Sequence, residues 1–359
     1  MNYIFDVIAL DSDFNIVAVL SYTNLQWTRK YYKSGTFSIQ IPIKQYDTSF
    51  RYVYTKDRPE VGEISQINFI DERNISLSGY FLEEKLNRRV CYAMPSITNI
   101  KNNPSWLSQK GSAEDVAISF FNAFNDLEFE QNGNIISCKL NIESHDSKGR
   151  GDIVEHTRDN TQLGDKIHDI LKPSLMSYKV EYNLEENKET FMVVKGLDCT
   201  QGNKYGNNPV IFSTTYGNLL NPNVVISSTN YKNAYLTYTK SEKDGIIVVE
   251  AKSERKKEDT SERFISISTS DNRSNYSSDE EFVAAINVTA HNELTKYPIT
   301  LSYDFDTAIS SYEYMKDFDI GYKCSIDIPA IGLHEDAVLV ECAEVIKAGV
   351  WSMSMEFET

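Results

Sequence analysis

Few cysteines, few histidines and no long apolar run set the first limits on this 359-residue sequence. The five cysteines, Cys91, Cys138, Cys199, Cys324 and Cys342, are odd in number, and no two form a C-x-x-C pair. That spacing argues against a disulfide framework and against a cysteine-based zinc site. The histidines, His145, His156, His168, His291 and His334, make no H-E-x-x-H pair. His291-Asn292-Glu293 lacks the cysteine partners of a deaminase-type zinc site, so the histidines read as surface or helix-face residues. Neither a phosphate-binding P-loop nor a G-x-S-x-G nucleophile elbow occurs. The opening residues show no basic segment followed by an apolar stretch, so the expectation is a soluble protein of a reducing cytoplasm with no secretory signal. Apolar runs such as 246–249 are far too short to cross a bilayer, and no direct membrane span is expected.

Positive charge is also scarce: 36 Lys and Arg face 52 Asp and Glu, a formal charge of −16. Such a surface repels phosphate backbones, which disfavours sequence-specific nucleic-acid binding. The densest cationic run, Arg255-Lys256-Lys257, is hemmed by Glu254, Glu258 and Asp259 and reads as a solvated loop. Tyrosine and phenylalanine are plentiful, at 22 and 17. Tyrosine suits half-buried strands and interfaces, because its ring packs while its hydroxyl stays wet. The length allows two or three domains with cores of their own.

Several local patterns invite a chemical reading. Asp11-Ser12-Asp13-Phe14-Asn15 opens like a calcium loop, but Ile16 stands where glycine makes the turn and Tyr22 where a glutamate closes the chelate. A hairpin turn is expected instead. Asp304 and Asp306 share one face of a strand end, as an acid pair would. Among 52 acids such a pair arises readily by chance. Arg150-Gly151-Asp152 spells an adhesion tripeptide, and Asn74-Ile75-Ser76 and Asn287-Val288-Thr289 spell glycosylation sequons; without a secretory context all three read as coincidence.

Periodicity divides the chain into a β part, a mixed part and a second β part. Early strands are expected at 3–10, 15–20, 64–70 and 74–79. Phe37, Ile39, Ile41 and Ile43 alternate with Ser38, Gln40 and Pro42, a strand with one buried face whose proline belongs at an edge or bulge. A capped helix should start at Ser112 with Val116, Phe120, Phe121 and Phe124 inward. A second helix is expected over 160–171, striped by Leu163, Ile167, Ile170 and Leu171 and stopped by Pro173, followed by a hairpin over 178–184 and 190–196. Later strands are expected at 224–227, 234–239, 245–251, 263–269, 300–303, 321–326, 337–346 and 350–357. Among them, Ser278 and Glu281 form a capping box before a helix carrying Phe282, Ala285, Ile286, Thr289 and Leu294. No internal repeat is visible in the sequence.

The segment QWTRKYYKSGTFSIQIP, residues 26–42, resembles the N-terminal signature of a family of siphophage tail proteins, in which Trp, a Tyr pair and Gly precede an alternating strand. Val61-Gly62-Glu63-Ile64, Ser78-Gly79 and Leu86-Asn87-Arg88-Arg89-Val90 follow in the family's order. GLDCTQGNKYGNNPVIFSTTYGNLLN, residues 196–221, resembles its central block, and MKDFDIGYKCSI, residues 315–326, a late element, with Tyr322 where the family has Asp. The signature positions are Trp27, Tyr31, Gly35, Gly79, Arg88, Arg89, Gly196, Pro209, Phe212, Gly217 and Asn218. Trp27 and Tyr31 read as core or domain-interface aromatics, Gly35 and Gly79 as turn glycines with positive φ, and Arg88 and Arg89 as partners of nearby acids.

The resemblance implies a hub similar to the baseplate hubs of contractile-tailed phages: a homotrimer whose chains each carry two tube-type β-barrels. Three such chains would join a sixfold tail tube to a threefold tip. The expected fold is α+β, mainly β. It comprises an N-terminal barrel-like domain over 1–92, an α+β insertion over 93–206, and a second barrel-like domain with a helical insertion over 207–359. No catalysis, metal or cofactor is expected. The partners implied are a distal tail or tail-tube protein and a tail spike or tip protein, in a virion tail assembled in the host cytoplasm. A carbohydrate-binding tail adhesin is the alternative. A tail-associated lysin is the weaker third reading, since the sequence stops at Thr359 directly after its last alternating strand.

Overall fold

The computed structural model describes residues 5–93, 99–241, 245–257, 259–268, 273–307 and 312–359. The chain forms two compact units, one of residues 1–222 and 304–357, the other of residues 223–303 and 358–359. The second unit lies within the segment 207–359 that the sequence sets apart as its last domain.

The first unit opens with strands β1 (Val7–Leu10), β2 (Ile16–Leu20), β3 (Asn24–Lys30), β4 (Thr36–Pro42), β5 (Tyr52–Thr55), β6 (Val61–Phe69) and β7 (Asn74–Phe81). Tyr3 and Ile4, expected to begin the first strand, lie outside the described residues. The alternation in β4 buries Phe37, Ile39 and Ile41. Pro42 lies beyond the β3–β4 ladder, which ends at Gln40, so its missing N–H costs no bond on that side. Inward residues of these strands, with Trp27 among the largest, converge on one core cluster.

The mixed part follows with β8 (Ser108–Ser112), α1 (Ala113–Phe124), β9 (Asp126–Gln131), β10 (Asn134–Lys139), β11 (Ile142–Ser144), β12 (Ile153–Thr157), α2 (Leu163–Leu171), β13 (Met176–Asn183) and β14 (Lys188–Lys195). The Ser112 hydroxyl accepts the Asp115 N–H at 3.1 Å, capping α1 as expected. Val116, Phe120, Phe121 and Phe124 are all buried. The second helix starts at Leu163 rather than 160, because Asn160 has φ +64° and breaks the helical path. Its stripe is buried, and Pro173 sits in the short 3₁₀ turn that ends it. The β13–β14 hairpin, joined by β11 in parallel, packs on both helices; Phe121 stacks on Phe191 with ring centres 4.3 Å apart. The short pairs β9–β10 and β8–β12 are additions to the expected set.

The chain continues through β15 (Asp198–Cys199), β16 (Ile211–Ser213) and β17 (Leu219–Ser227). The second unit supplies β18 (Ala234–Ser241), β19 (Gly245–Ser253), β20 (Phe264–Ser268) and α3 (Asp279–Leu294). After β21 (Thr300–Thr307) come β22 (Lys323–Ile328), β23 (Leu333–Lys347) and β24 (Val350–Glu358). The main sheet runs β17-β21-β24-β23-β3-β4-β7-β6-β5-β1-β2, with β22 beside β23. Strand β23 joins its two parts: Leu333–Val338 pairs with β22, and Glu341–Lys347 pairs with all of β3.

In the second unit, β18 pairs antiparallel with β19 and parallel with β20. Thr269, the last residue of the strand expected there, lies outside the described residues, as does Glu258. Ser278 caps α3 by accepting the Glu281 N–H at 3.2 Å, while the Glu281 carboxylate takes the Ser277 N–H at 2.9 Å. The buried stripe is Phe282, Ile286, Ala290 and Leu294. Thr289, expected inward, is exposed and donates to the Ala285 carbonyl, since strict four-residue spacing from Phe282 reaches Ala290 instead. Among the described residues no helix is long and apolar enough to cross a membrane.

Candidate functional site

Strand β3 sends Trp27 and Arg29 to the same side, because strand residues two apart share a face. Trp27 is fully buried, its ring centre 4.8 Å from Phe81 and 6.0 Å from Phe37. Arg29 is buried as well, and it is charged. Its Nε donates to Glu60 Oε1 at 2.6 Å, and its Nη1 donates to Asp319 Oδ1 at 2.5 Å and to the Tyr314 hydroxyl at 2.7 Å. Burial works against the guanidinium charge, but Glu60, Tyr314 and Asp319 hold its pKa well above the ordinary value. One side chain thus ties β3, the β5–β6 loop and the segment before β22. A second pair repeats the link: Arg58 grips Glu344 of β23 through two bonds, its Nε at 2.6 Å from Oε2, and Trp351 Nε1 donates to the same carboxylate at 3.2 Å.

Tyr31 fastens this junction to the mixed part. Its N–H donates to the Val340 carbonyl at 2.8 Å. Its hydroxyl donates to the Leu175 carbonyl at 3.0 Å and accepts the Gly196 N–H at 3.2 Å, and its carbonyl accepts the Ser177 hydroxyl. Burial pushes its pKa up to about 12. Alongside, Glu83 is enclosed near Glu60 and Lys179; burial raises its pKa to about 7, helped by the Glu60 charge and opposed by Lys179. These groups line a cavity of about 10 Å³.

The remaining signature residues divide by role. Gly35 and Gly79 do not have positive φ, contrary to the sequence expectation. Both are close-approach positions: a β-carbon on Gly79 would fall on the Glu63 carbonyl oxygen beside the β6 bulge, and one on Gly35 would meet Phe81 and the Thr28 carbonyl. Gly196 is pressed in the same way against the Gly321 carbonyl. Arg88 pairs with Glu63 at 2.6 Å as expected. Arg89 instead donates to carbonyls, those of Cys138 at 3.1 Å and Arg88 at 3.2 Å, because its reach ends on backbone rather than on an acid. Phe212 is the centre of a separate aromatic cluster, with Phe318, Phe305, Phe357 and Tyr312 all between 5.3 and 5.8 Å away. Asn218 closes the turn before β17 by accepting the Ser213 N–H and donating to the Ile211 carbonyl, both at 2.8 Å; Gly217 in that turn has φ +67°. Pro209 lines a cavity of about 580 Å³ with Asn207, Tyr312 and Tyr322.

The other candidates have structural partners. Asp11 accepts the Asp13 and Asn15 N–H groups at 2.9 Å and organises a hairpin turn. Asp306 accepts from Asn221 at 3.1 Å, and Asp304 is exposed on β21. Arg150 of the adhesion-like tripeptide donates three bonds to the fully buried Glu114, two from its guanidinium at 2.7 and 3.0 Å and one from its N–H at 2.9 Å, and its guanidinium also donates to the Val193 carbonyl. Asn287 of one sequon accepts from Tyr235 and donates to Glu250. His168 is buried on α2 rather than exposed, and burial pushes its pKa down to about 3. Among the described residues no group of His, Cys, Asp and Glu could hold a metal ion. The chemistry of the junction is therefore cohesive: paired charges, held out of water, fix the parts of the first unit in one arrangement.

Two solved structures described as tail proteins share this fold along their whole length. The tail protein from Neisseria meningitidis MC58 superposes with a TM-score of 0.56 at 13% identity, covering 99% of this chain and 97% of its own. The 43 kDa tail protein of prophage MuSo2 from Shewanella oneidensis superposes with a TM-score of 0.55 at 9% identity, covering 99% and 98%. No curated protein matches the sequence. The model of one protein family matches residues 4–354, nearly the whole length, and the chain belongs to that family, the siphovirus ReqiPepy6 Gp37-like proteins.

Proposed function

We propose that this chain is a non-enzymatic structural subunit of a phage-type tail: a hub whose three copies form a ring between a sixfold tube and a threefold tip. The observation that carries the reading is the end-to-end match of fold with tail proteins, each chain covering nearly all of the other. The family supports it. So does the junction, whose ion pairs are consumed in holding two parts of one sheet together. In this reading each chain carries two tube-type barrels, its partners are a tail-tube or distal tail protein and a spike or tip protein, and it resides in the virion tail after assembly in the host cytoplasm. The formal charge of −16 suits a lumen that must not hold passing DNA by its phosphates.

Light scattering of the purified protein, alone and co-expressed with neighbouring tail proteins, tests the reading. A stable species of three chains is expected in at least the second condition. A strict monomer in both, together with specific binding on a glycan array, would replace the hub by the adhesin.

A further inference from the structure

Two of the five cysteines, far apart in sequence, meet across a strand pair. Cys199 of β15 lies directly opposite Cys324 of β22 in a parallel ladder of two residue pairs. Directly paired residues of neighbouring strands share a face of the sheet, and here it is the buried one: Cys199 is 3% exposed and Cys324 not at all. Strands so paired run about 4.7–4.9 Å apart. That lies inside the span of about 4.4–6.8 Å over which a disulfide joins two α-carbons. The other three have no cysteine opposite them. Cys342 faces Arg29 and Cys138 faces Leu127, while Cys91 packs in the core cluster of α1 and α2.

The two positions differ in access. Cys199 lines the cavity of about 580 Å³, which the exposed Lys316 and Asp317 also line, so that it opens to solvent. Cys324 lies one strand deeper, between β15 and β23, with Ala337 opposite it on its second side. Burial raises the pKa of both thiols, and that of Cys324 further. Both therefore stay protonated at neutral pH and exchange slowly.

We propose that Cys199 and Cys324 form an intrachain disulfide when the folded protein meets a small disulfide oxidant of the glutathione disulfide class, and that this bond clasps β15 to β22. Cys199, as its thiolate, attacks one sulfur of the oxidant. A mixed disulfide forms, and one glutathione leaves as a thiol with the proton that Cys199 gave up. Cys324 then loses its proton, attacks the Cys199 sulfur and displaces the second glutathione as a thiol. Two protein thiols are oxidised, and one glutathione disulfide is reduced to two thiols.

The bond would secure a weak place in the fold. Among the described residues β15 has β22 as its only strand neighbour, along two residue pairs, and so short a ladder opens at little cost. Residues 200–323, between the two cysteines, include all of 223–303 from the second unit, so the bond would close that stretch into a covalent loop. A reducing cytoplasm keeps such a pair as thiols, and an oxidising medium outside the cell does not. That timing rests on the reading of a tail that leaves its host; the pairing itself does not.

The purified, reduced chain is incubated with glutathione disulfide at mildly alkaline pH, unfolded in the presence of iodoacetamide, digested without reduction and read by mass spectrometry. The expected product is the Cys199 peptide joined to the Cys324 peptide, less two hydrogens, with no other cysteine joined to either. Cys324→Ser should stop at the mixed disulfide, with glutathione held on Cys199, and Cys199→Ser should give neither link nor adduct at Cys324. The linked chain should unfold at a higher urea concentration than the reduced one, a difference that dithiothreitol removes. Recovery of the two cysteines as free thiols or as separate adducts overturns the inference. So does the same scatter of pairings that the urea-unfolded chain gives, or a linked chain whose midpoint is not raised. None of these results touches the hub reading, whose failure shows in light scattering instead.

Discussion

Arg29 and Glu60 lie 2.6 Å apart with both side chains almost wholly out of water. Removing one of such a pair strands the other in a low-dielectric interior, which is costlier than removing both. Arg29→Ala should therefore destabilise the protein by about 3–5 kcal/mol. The double change Arg29→Met with Glu60→Met should lose markedly less, even though Asp319 also gives up a partner. Urea denaturation of the single and double variants decides it; equal losses would show that the pair acts as two independent residues.

Gly79 makes a different demand, for space alone. Because a β-carbon there meets the Glu63 carbonyl, Gly79→Ala should force the β6–β7 ladder apart at its bulge and destabilise by about 1–3 kcal/mol. Gly133→Ala is the contrast. Nothing lies near its β-carbon, so its loss reflects only the positive φ of a hairpin turn. Thermal unfolding of both variants should rank Gly79→Ala as the more damaging.

Two buried groups give opposite pH dependences. Glu83 keeps its proton to about pH 7 in the folded chain, against an ordinary 4.5, so the folded state holds more protons between those values. Its stabilising contribution is complete below pH 4.5 and is lost as pH rises through 7. His168 titrates at about 3 instead of 6.5, so its contribution is present above 6.5 and is lost as pH falls toward 3. The slopes oppose one another between 4.5 and 6.5. Glu83→Gln should remove the loss on the alkaline side, raising stability at pH 8 by up to roughly 3 kcal/mol relative to the parent. Stability measured by denaturant midpoint from pH 4 to 8 checks it; an unchanged profile would mean that the carboxyl is ionised throughout.

Phe212 should be the costliest single aromatic of its cluster. It touches four other rings and has no exposure, so Phe212→Ala should destabilise by about 3–5 kcal/mol. Phe212→Leu should cost less. Near-ultraviolet circular dichroism, followed through unfolding, reports the cluster directly.

The parts of this fold legible in the sequence are those governed by local chemistry. The α1 cap at Ser112, the apolar stripe ending at Phe124 and the alternation of β4 each follow from residues within one or two turns of each other. Strands β8 to β10 escaped because they are short and bury almost nothing: of their residues only Ser112 is buried, so the Leu127 and Phe129 alternation of β9 marks no core face. Gly35 and Gly79 stand out in the sequence, but sequence marks a residue that must lack a β-carbon without saying whether torsion or crowding forbids it. Arg88 and Arg89 look equivalent in sequence, yet only the first ends beside an acid. The junction was half visible, in Trp27 and Tyr31; Arg29 between them passed unnoticed because its partners lie 31 and 290 residues away.

The long strand β23 also sets a timetable. Its second half completes the sheet edge at β3, yet it leaves the ribosome some 300 residues later. At elongation rates of about 20 residues per second or fewer, that interval is on the order of 15 seconds or longer. Through it β3 stands with one flank uncovered, Arg29 without Asp319 and Arg58 without Glu344. The nascent N-terminal sheet is thus an unfinished surface for much of synthesis. Conditions or chaperones that shield strand edges should raise the yield of this protein more than changes that stabilise it once folded.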